Sequence, residues 1–363
     1  MTKLHELADL GQSIWLDYIS RSLIASGKLQ GLIEKGLRGV TSNPSIFEKA
    51  IDESSDYDQN MQKLAAEGKS VDEIYETLVI RDVRDAADLM RPVYDAAGGA
   101  DGYVSLEVNP KLAHDTDGTI AEARHLFAAV DRPNVMIKVP ATPAGPLAIE
   151  ALISEGTNIN VTLIFSLAQY DAIAEAYISG LGKLAESGRN VAQVASVASF
   201  FVSRIDTAVD QALEKIGESG LQGKIAIASA KMAYARFRET FTGARWERLA
   251  ALGARVQRPL WGSTSTKNPN YPDTLYVDNL IGPNTVNTLP PATLEAFLDH
   301  GRVALTLETG LEEVRAQLSG LSELGVDLDT ITQKLQDDGV DAFAKSFETL
   351  MASITRKREQ WKE

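Results

Sequence analysis

The 363-residue chain contains no cysteine. This removes disulfides, thiolate nucleophiles and cysteine-based metal or redox centres from consideration. Histidine is nearly as scarce. His5, His114, His125 and His300 make up the full complement of 4, and their scatter matches no ligand spacing, so no metal site is expected. Cations are in deficit: 36 Lys and Arg stand against 50 Asp and Glu, a net charge of −14. Nucleic acid and anionic membrane surfaces, which select a basic face, are therefore poor partners. A small anionic substrate stays compatible, because a few local cations can dominate a pocket. No apolar run approaches the roughly 20 residues needed to cross a bilayer. The opening MTKLHELADLGQ lacks the cationic start and apolar stretch of a secretory signal. A soluble, cytoplasmic protein is the expectation.

What is present is a rhythm. Short apolar or β-branched runs occur at IWLDYI (14–19), GVTSNP (39–44), YVSLEV (103–108), VMIKVP (135–140), NINVTLIF (158–165), VASVASFF (194–201), PLWGST (259–264) and VNTLP (286–290). Helical patterns separate them. RIDTAVDQALEKIGESG aligns Ile205, Ala208, Val209, Ala212, Leu213 and Ile216 on one helical face before a glycine-containing stop. The stretch from Phe165 to Leu184 reads as a helix capped by Ser166 and ending in its glycines. Between the second and third runs the interval is too long for one crossover. Ser70 and Glu73 form a capping-box pattern there, and a second helix is expected through Val93. Eight strands with crossover helices predict an α/β fold, a (β/α)8 TIM barrel, with extra helices between strands 2 and 3 and at the C-terminus. Residues 1–363 then form one domain, and the charged, helix-like part from about 301 to 363 packs across it. Its apolar helix faces leave a homodimer open.

In such barrels the inward side chains fill the core, and chemistry sits at the C-terminal strand ends. Polar residues in step with the inward face there are candidates. Lys138 lies near the end of VMIKVP. Burial penalises an ammonium and favours the free nucleophilic amine. Taken alone, Lys138 reads more readily as pointing outward or pairing with a carboxylate. Other strands supply company: Asp17 after IWL, Glu107 after VSL, Asn43 closing GVTSN, Asn160 and Thr162 two apart in NINVTLIF, and Ser199 and Phe201 two apart in VASFF. Each also has a bland reading, as a turn residue, a helix cap or a small core residue. Together they outline one amine, two carboxylates and several hydroxyls or amides, an inventory suited to making or breaking a carbon–carbon bond beside a carbonyl. Candidate phosphate ligands are Arg204, near the start of the following helix, and the GSTSTKN segment with Ser263, Thr264 and Lys267.

These segments resemble the transaldolase family. GVTSNPSIF is similar to its signature on the second strand, and NVMIKVPAT to the strand bearing its Schiff-base lysine. The step from Lys138 to Asn160, YVSLEV and SFFVSRID match further ordered motifs. The length and WGSTSTKNP resemble the bacterial branch with a C-terminal helical extension. The resemblance implies that Lys138 attacks a ketose carbonyl and that Asp17 is the acid/base on the sugar hydroxyl. It also implies that Glu107 and Thr162 activate water, that Asn43, Asn160 and Ser199 bind the dihydroxyacetone part, and that Arg204 meets phosphate. It implies small phosphorylated sugars as ligands and no cofactor, since the protonated imine is itself the electron sink. Related aldolases that release free dihydroxyacetone typically carry Gln and Tyr where this chain has Glu107 and Phe201, so transfer is favoured over release. The family's usual second phosphate-binding arginine is missing after the seventh strand. Ser263 and Lys267 are the expected substitutes, with Arg255 and Arg258 expected at the far end of that strand.

Overall fold

The structure, a computed structural model, describes residues 2–360. Residues 361–363 of the predicted extension lie outside the described residues. Eight parallel strands close into one barrel in sequence order: β1 (Gln12–Leu16), β2 (Gly39–Val40), β3 (Tyr103–Glu107), β4 (Val135–Pro140), β5 (Ile159–Ile164), β6 (Ser196–Phe201), β7 (Arg258–Gly262) and β8 (Thr285–Leu289), with β8 pairing back onto β1. Each falls within one of the eight predicted runs or within a few residues of it. The main difference is β2, where only Gly39 and Val40 pair before the chain turns into the helix Pro44–Asp52. Asp17, expected at the end of the first strand, lies one residue past β1.

The helices bring three corrections. Ser70 and Glu73 do form a capping box, but it opens one continuous helix, Val71–Ala96, rather than the first of two. Pro92 sits inside it. The interval's other helices, Pro44–Asp52 and Asp58–Ala66, precede the box. The helix capped by Ser166 runs to Glu186, carrying Gly180 and Gly182 within it. Gly180 is needed there because a Cβ would lie 2.8 Å from the Glu150 carbonyl of the neighbouring helix. In the helix Ser203–Lys215, Ile205, Val209 and Leu213 are buried as expected, whereas Ile216 falls beyond its end and is exposed. Two carboxylates on that helix are buried instead. Asp206 accepts from Tyr276 Oη and the Ala226 amide, and Asp210 from Tyr271 Oη and the Gly223 amide.

The barrel interior is layered by the two-residue period of its strands. Trp15, Tyr103, Met136, Val197, Leu260 and Val286 make an apolar layer. Gly39 completes it by having no side chain, since a Cβ there would lie 2.5 Å from the Trp15 indole. Below it the N-terminal end is plugged. Asp101 accepts from Trp15 Nε1 at 2.8 Å and lies 3.6 Å from Arg258, which donates to Ser13 Oγ and the Thr285 carbonyl. Two residues further along these strands the inward positions turn polar: Asp17, Thr41, Ser105, Lys138, Ser199 and Thr288.

The last described element is a 33-residue helix, Leu328–Gln360, which runs from the ends of β4 and β5 to the helix Pro44–Asp52. Gln336 donates to the carbonyls of Ala141 and Leu163. Ser346 bonds Ser45, Arg356 pairs with Asp52, and Lys357 with Asp58. No described helix is long and apolar enough to cross a membrane.

Candidate active site

The polar layer opens into a cavity of about 130 Å³. Asp17, Thr41, Asn43, Lys138, Asn160, Thr162, Ser199, Phe201, Arg204, Ser263 and Lys267 are on its walls. Of the predicted site residues, Glu107 and Thr264 are not; Thr264 is buried and donates to Asn287 Oδ1 at 2.9 Å instead of facing a ligand. The parallel register sets Glu107 beside Lys138 and Lys138 beside Asn160. This puts Glu107 Oε2 3.2 Å from Lys138 Nζ, with both side chains buried. Lys138 also donates to the Ser42 carbonyl at 3.0 Å. Lys138 thus points inward and is paired with a carboxylate, two arrangements that looked like alternatives from the sequence. Burial raises the pKa of Glu107, against the attraction of Lys138, and the nearby charge of Asp17 adds to the rise.

Asp17 stands across the mouth at the end of β1. Thr41 donates to its Oδ1 at 2.7 Å, and Thr41 in turn shares a 2.6 Å hydrogen bond with Thr288. Burial raises the Asp17 pKa, with Lys138, Thr41 and Lys267 opposing. Asn160 is locked by both ends of its amide: Nδ2 donates to Ser105 Oγ and Oδ1 accepts from Ser199 Oγ. Asn43 uses Oδ1 to cap the helix Pro44–Asp52 through the Ile46 amide, which leaves its NH2 group for a ligand. Thr162 Oγ1 is buried with no hydrogen-bond partner among the described residues. A buried hydroxyl left unsatisfied in this way costs free energy until water or a ligand reaches it.

Cations gather on one side. Arg204 lies in the first turn of the helix Ser203–Lys215, its guanidinium 5.5 Å from the centroid of Phe201. It makes no ion pair among the described residues, and burial lowers its pKa. Lys267 donates to Ser265 Oγ at 2.8 Å. Its pKa is lowered first by burial and then by Arg204, with Lys49 adding to the repulsion. Ser263, at φ +52°, binds Ser203 at the start of the same helix through its carbonyl and hydroxyl. Two cations, hydroxyls and a helix N-terminus make an anion-binding corner. Arg258 belongs to the plug at the opposite end, and Arg255 donates to the carbonyls of Gly98 and Gly99. Among the described residues no group of three His, Asp or Glu is placed to hold a metal.

Several residues on or beneath the wall were not singled out from the sequence. Thr41, next to Thr288 and hydrogen-bonded to Asp17, and Ser105, under Asn160, follow from counting two residues on from the apolar layer. Phe343, on the C-terminal helix, lines the cavity and carries no such signal.

An eight-stranded parallel barrel whose C-terminal mouth holds an inward lysine, two carboxylates and a cationic corner is an enzyme scaffold of the α/β-barrel class. The chain belongs to the transaldolase/fructose-6-phosphate aldolase family, whose model matches residues 14–354. It is similar to the transaldolases of Thermobifida fusca (49% identity, 98% of each chain), Parafrankia sp. (50%, 98% of this chain and 97% of the relative) and Thiobacillus denitrificans (50%, 96% and 98%). It is accordingly an enzyme with transaldolase function, transferring a three-carbon ketose unit between sugar phosphates.

Proposed function

We propose that Lys138 carries the three-carbon unit as a Schiff base, taking it from sedoheptulose 7-phosphate to glyceraldehyde 3-phosphate. The amine adds to the ketose carbonyl and water leaves, forming a protonated imine. Asp17 removes the proton of the C4 hydroxyl, and the C3–C4 bond breaks as its electron pair moves into the imine. Erythrose 4-phosphate departs and an enamine remains on Lys138. The enamine attacks the incoming aldehyde, Asp17 returns the proton to the new hydroxyl, and hydrolysis of the imine releases fructose 6-phosphate. Glu107 and Thr162 handle the water lost and regained at the imine carbon. Asn160, Ser199 and the NH2 group of Asn43 hold the hydroxyls of the retained fragment. Arg204 and Lys267, with Ser263, meet the phosphate.

One observation carries this reading: a buried, inward lysine, on the same cavity as Asp17 and Arg204, lies 3.2 Å from a buried glutamate behind it. Phe201 supports transfer over release. It packs its ring 5.3 Å from Phe165 and brings no hydroxyl to the enamine. Phe201→Tyr should raise the release of free dihydroxyacetone relative to transfer, measured with and without an acceptor aldose. An unchanged ratio would remove Phe201 from that role. For the lysine, incubation with fructose 6-phosphate followed by borohydride and peptide mapping should place the adduct on Lys138. An adduct on another lysine, or none, rejects the assignment.

A cytoplasmic location and a homodimer complete the proposal. Cell fractionation and light scattering of the full chain test them.

A further inference from the structure

The end of β5 is strained, and the strain is restrained from outside the barrel. Leu163 adopts φ +59°, the left-handed region, which costs a side chain of this kind roughly 1–2 kcal/mol. The pairing with β6 gains a residue at this point: Val161 faces Ala198, yet Ile164 faces Phe200. The extra residue is a bulge, a device that re-aims neighbouring side chains. Immediately before it stands Thr162, the wall residue whose buried hydroxyl has no partner among the described residues.

The bulge is tied down at its backbone. The Thr162 carbonyl accepts from the Ala141 amide at 2.8 Å. The two flanking carbonyls, of Ala141 and Leu163, accept from one donor, Gln336 Nε2, at 2.8 and 3.0 Å. Gln336 is only 2% exposed. The same face of its helix bears on the same place. A Cβ on Gly339 would lie 2.9 Å from Leu163 Cδ2 and 3.6 Å from Arg204 Nη1, and Phe343 reaches the cavity.

We propose that Gln336 is a positioning residue for the transfer reaction, clamping the Leu163 bulge and so aiming the Thr162 hydroxyl at the imine-forming amine. The inference rests on the water-handling role given above to Thr162. Without Gln336 two buried carbonyls lose their donor, and the left-handed residue loses what holds it. A bulge re-aims the side chains beside it, so its relaxation moves the Thr162 hydroxyl relative to Lys138. The C-terminal helix is then part of the catalytic apparatus, although none of its residues reacts.

The test is a double-mutant cycle on the rate of borohydride-trapped imine formation with fructose 6-phosphate, using the full chain. Gln336→Met should slow trapping roughly 10- to 100-fold, and Thr162→Ala should slow it as well. The double variant should be no slower than Thr162→Ala alone, because both act through one hydroxyl. Gly339→Ala, which presses on Leu163 and leaves the amide in place, should behave like Gln336→Met and replaces it in the cycle if that variant does not fold. Ser346→Ala removes a tether of the same helix to Ser45 (2.8 Å) away from the bulge and should trap at the parental rate. Multiplying effects in the double variant, or an equal loss in Ser346→Ala, overturns the clamp. Slow trapping by Thr162→Ala beside unaffected clamp variants overturns only this inference. Normal trapping by Thr162→Ala overturns the water-handling role and the clamp with it.

Discussion

Replacing Arg204 by glutamine separates substrate binding from folding. In the free protein the guanidinium is half-buried, has no carboxylate partner among the described residues, and sits 5.5 Å from the Phe201 ring. Burial lowers its pKa, a sign that the charge is held at a cost. Such a cation is useful only when an anion arrives. A charge-assisted hydrogen bond to phosphate contributes about 1.5–3 kcal/mol, so Arg204→Gln should lower kcat/KM for fructose 6-phosphate roughly 10- to 150-fold. With unphosphorylated fructose as donor the change should be small. Stability should move little. The lost contact with the Phe201 ring is worth about 0.5–1 kcal/mol, and relief from burying the charge offsets it, so Tm should stay within about 2 °C. Coupled assays on the two donors and a thermal melt decide the matter. An equal loss on both donors, or a Tm lower by more than about 5 °C, would refute the assignment of Arg204 to the phosphate.

Lys267→Ala should chiefly raise KM for phosphorylated sugars. The effect should be smaller than at Arg204 and should shrink with added salt, because this side chain is more exposed; an unchanged KM rejects it. Asp17→Asn should still form the trapped imine while carbon–carbon cleavage falls roughly 10²- to 10⁴-fold, and loss of trapping would move its role to an earlier step. Because burial raises the Asp17 pKa, the acid limb of kcat/KM should lie above the ordinary carboxylate range. At Asp206 burial raises the carboxyl to about 6, against hydrogen bonds from Ala226 and Tyr276. The folded state therefore holds this proton more tightly than the unfolded chain. The group's contribution to stability is full below the unfolded value near 4 and is lost as pH rises through about 6. The change is about 3 kcal/mol, so Asp206→Asn should flatten the fall of stability between about pH 4 and pH 6. Parallel pH profiles of the urea midpoints would dismiss the effect.

The barrel was legible because its determinants are local. Each strand announces itself by a short β-branched run, and the two-residue period that sets Met136 inward sets Lys138 inward too. The same period placed Asn160 with Thr162 and Ser199 with Phe201. What stayed hidden was non-local. The pairing of Glu107 with Lys138 depends on the register between neighbouring strands, and a composition-like reading could only count both residues as pocket groups. Leu163 looks like any strand leucine until the β6 register reveals the bulge. Phe343 lies far from the strands in sequence and reaches the mouth only through the path of its helix. On the Ser203–Lys215 helix, the burial of Asp206 and Asp210 is set by tyrosines at 271 and 276, so an amphipathic reading could not foresee it.

The path of the Leu328–Gln360 helix also bears on how the enzyme is made. Translation reaches it only after all eight strands have been synthesised, so the barrel can close while its mouth still lacks Gln336 and Phe343. Until that helix docks, Lys138 lies under an unfinished roof. If Gln336 clamps the bulge as proposed, full turnover waits for the last helix to dock, and the end of synthesis also completes the catalyst.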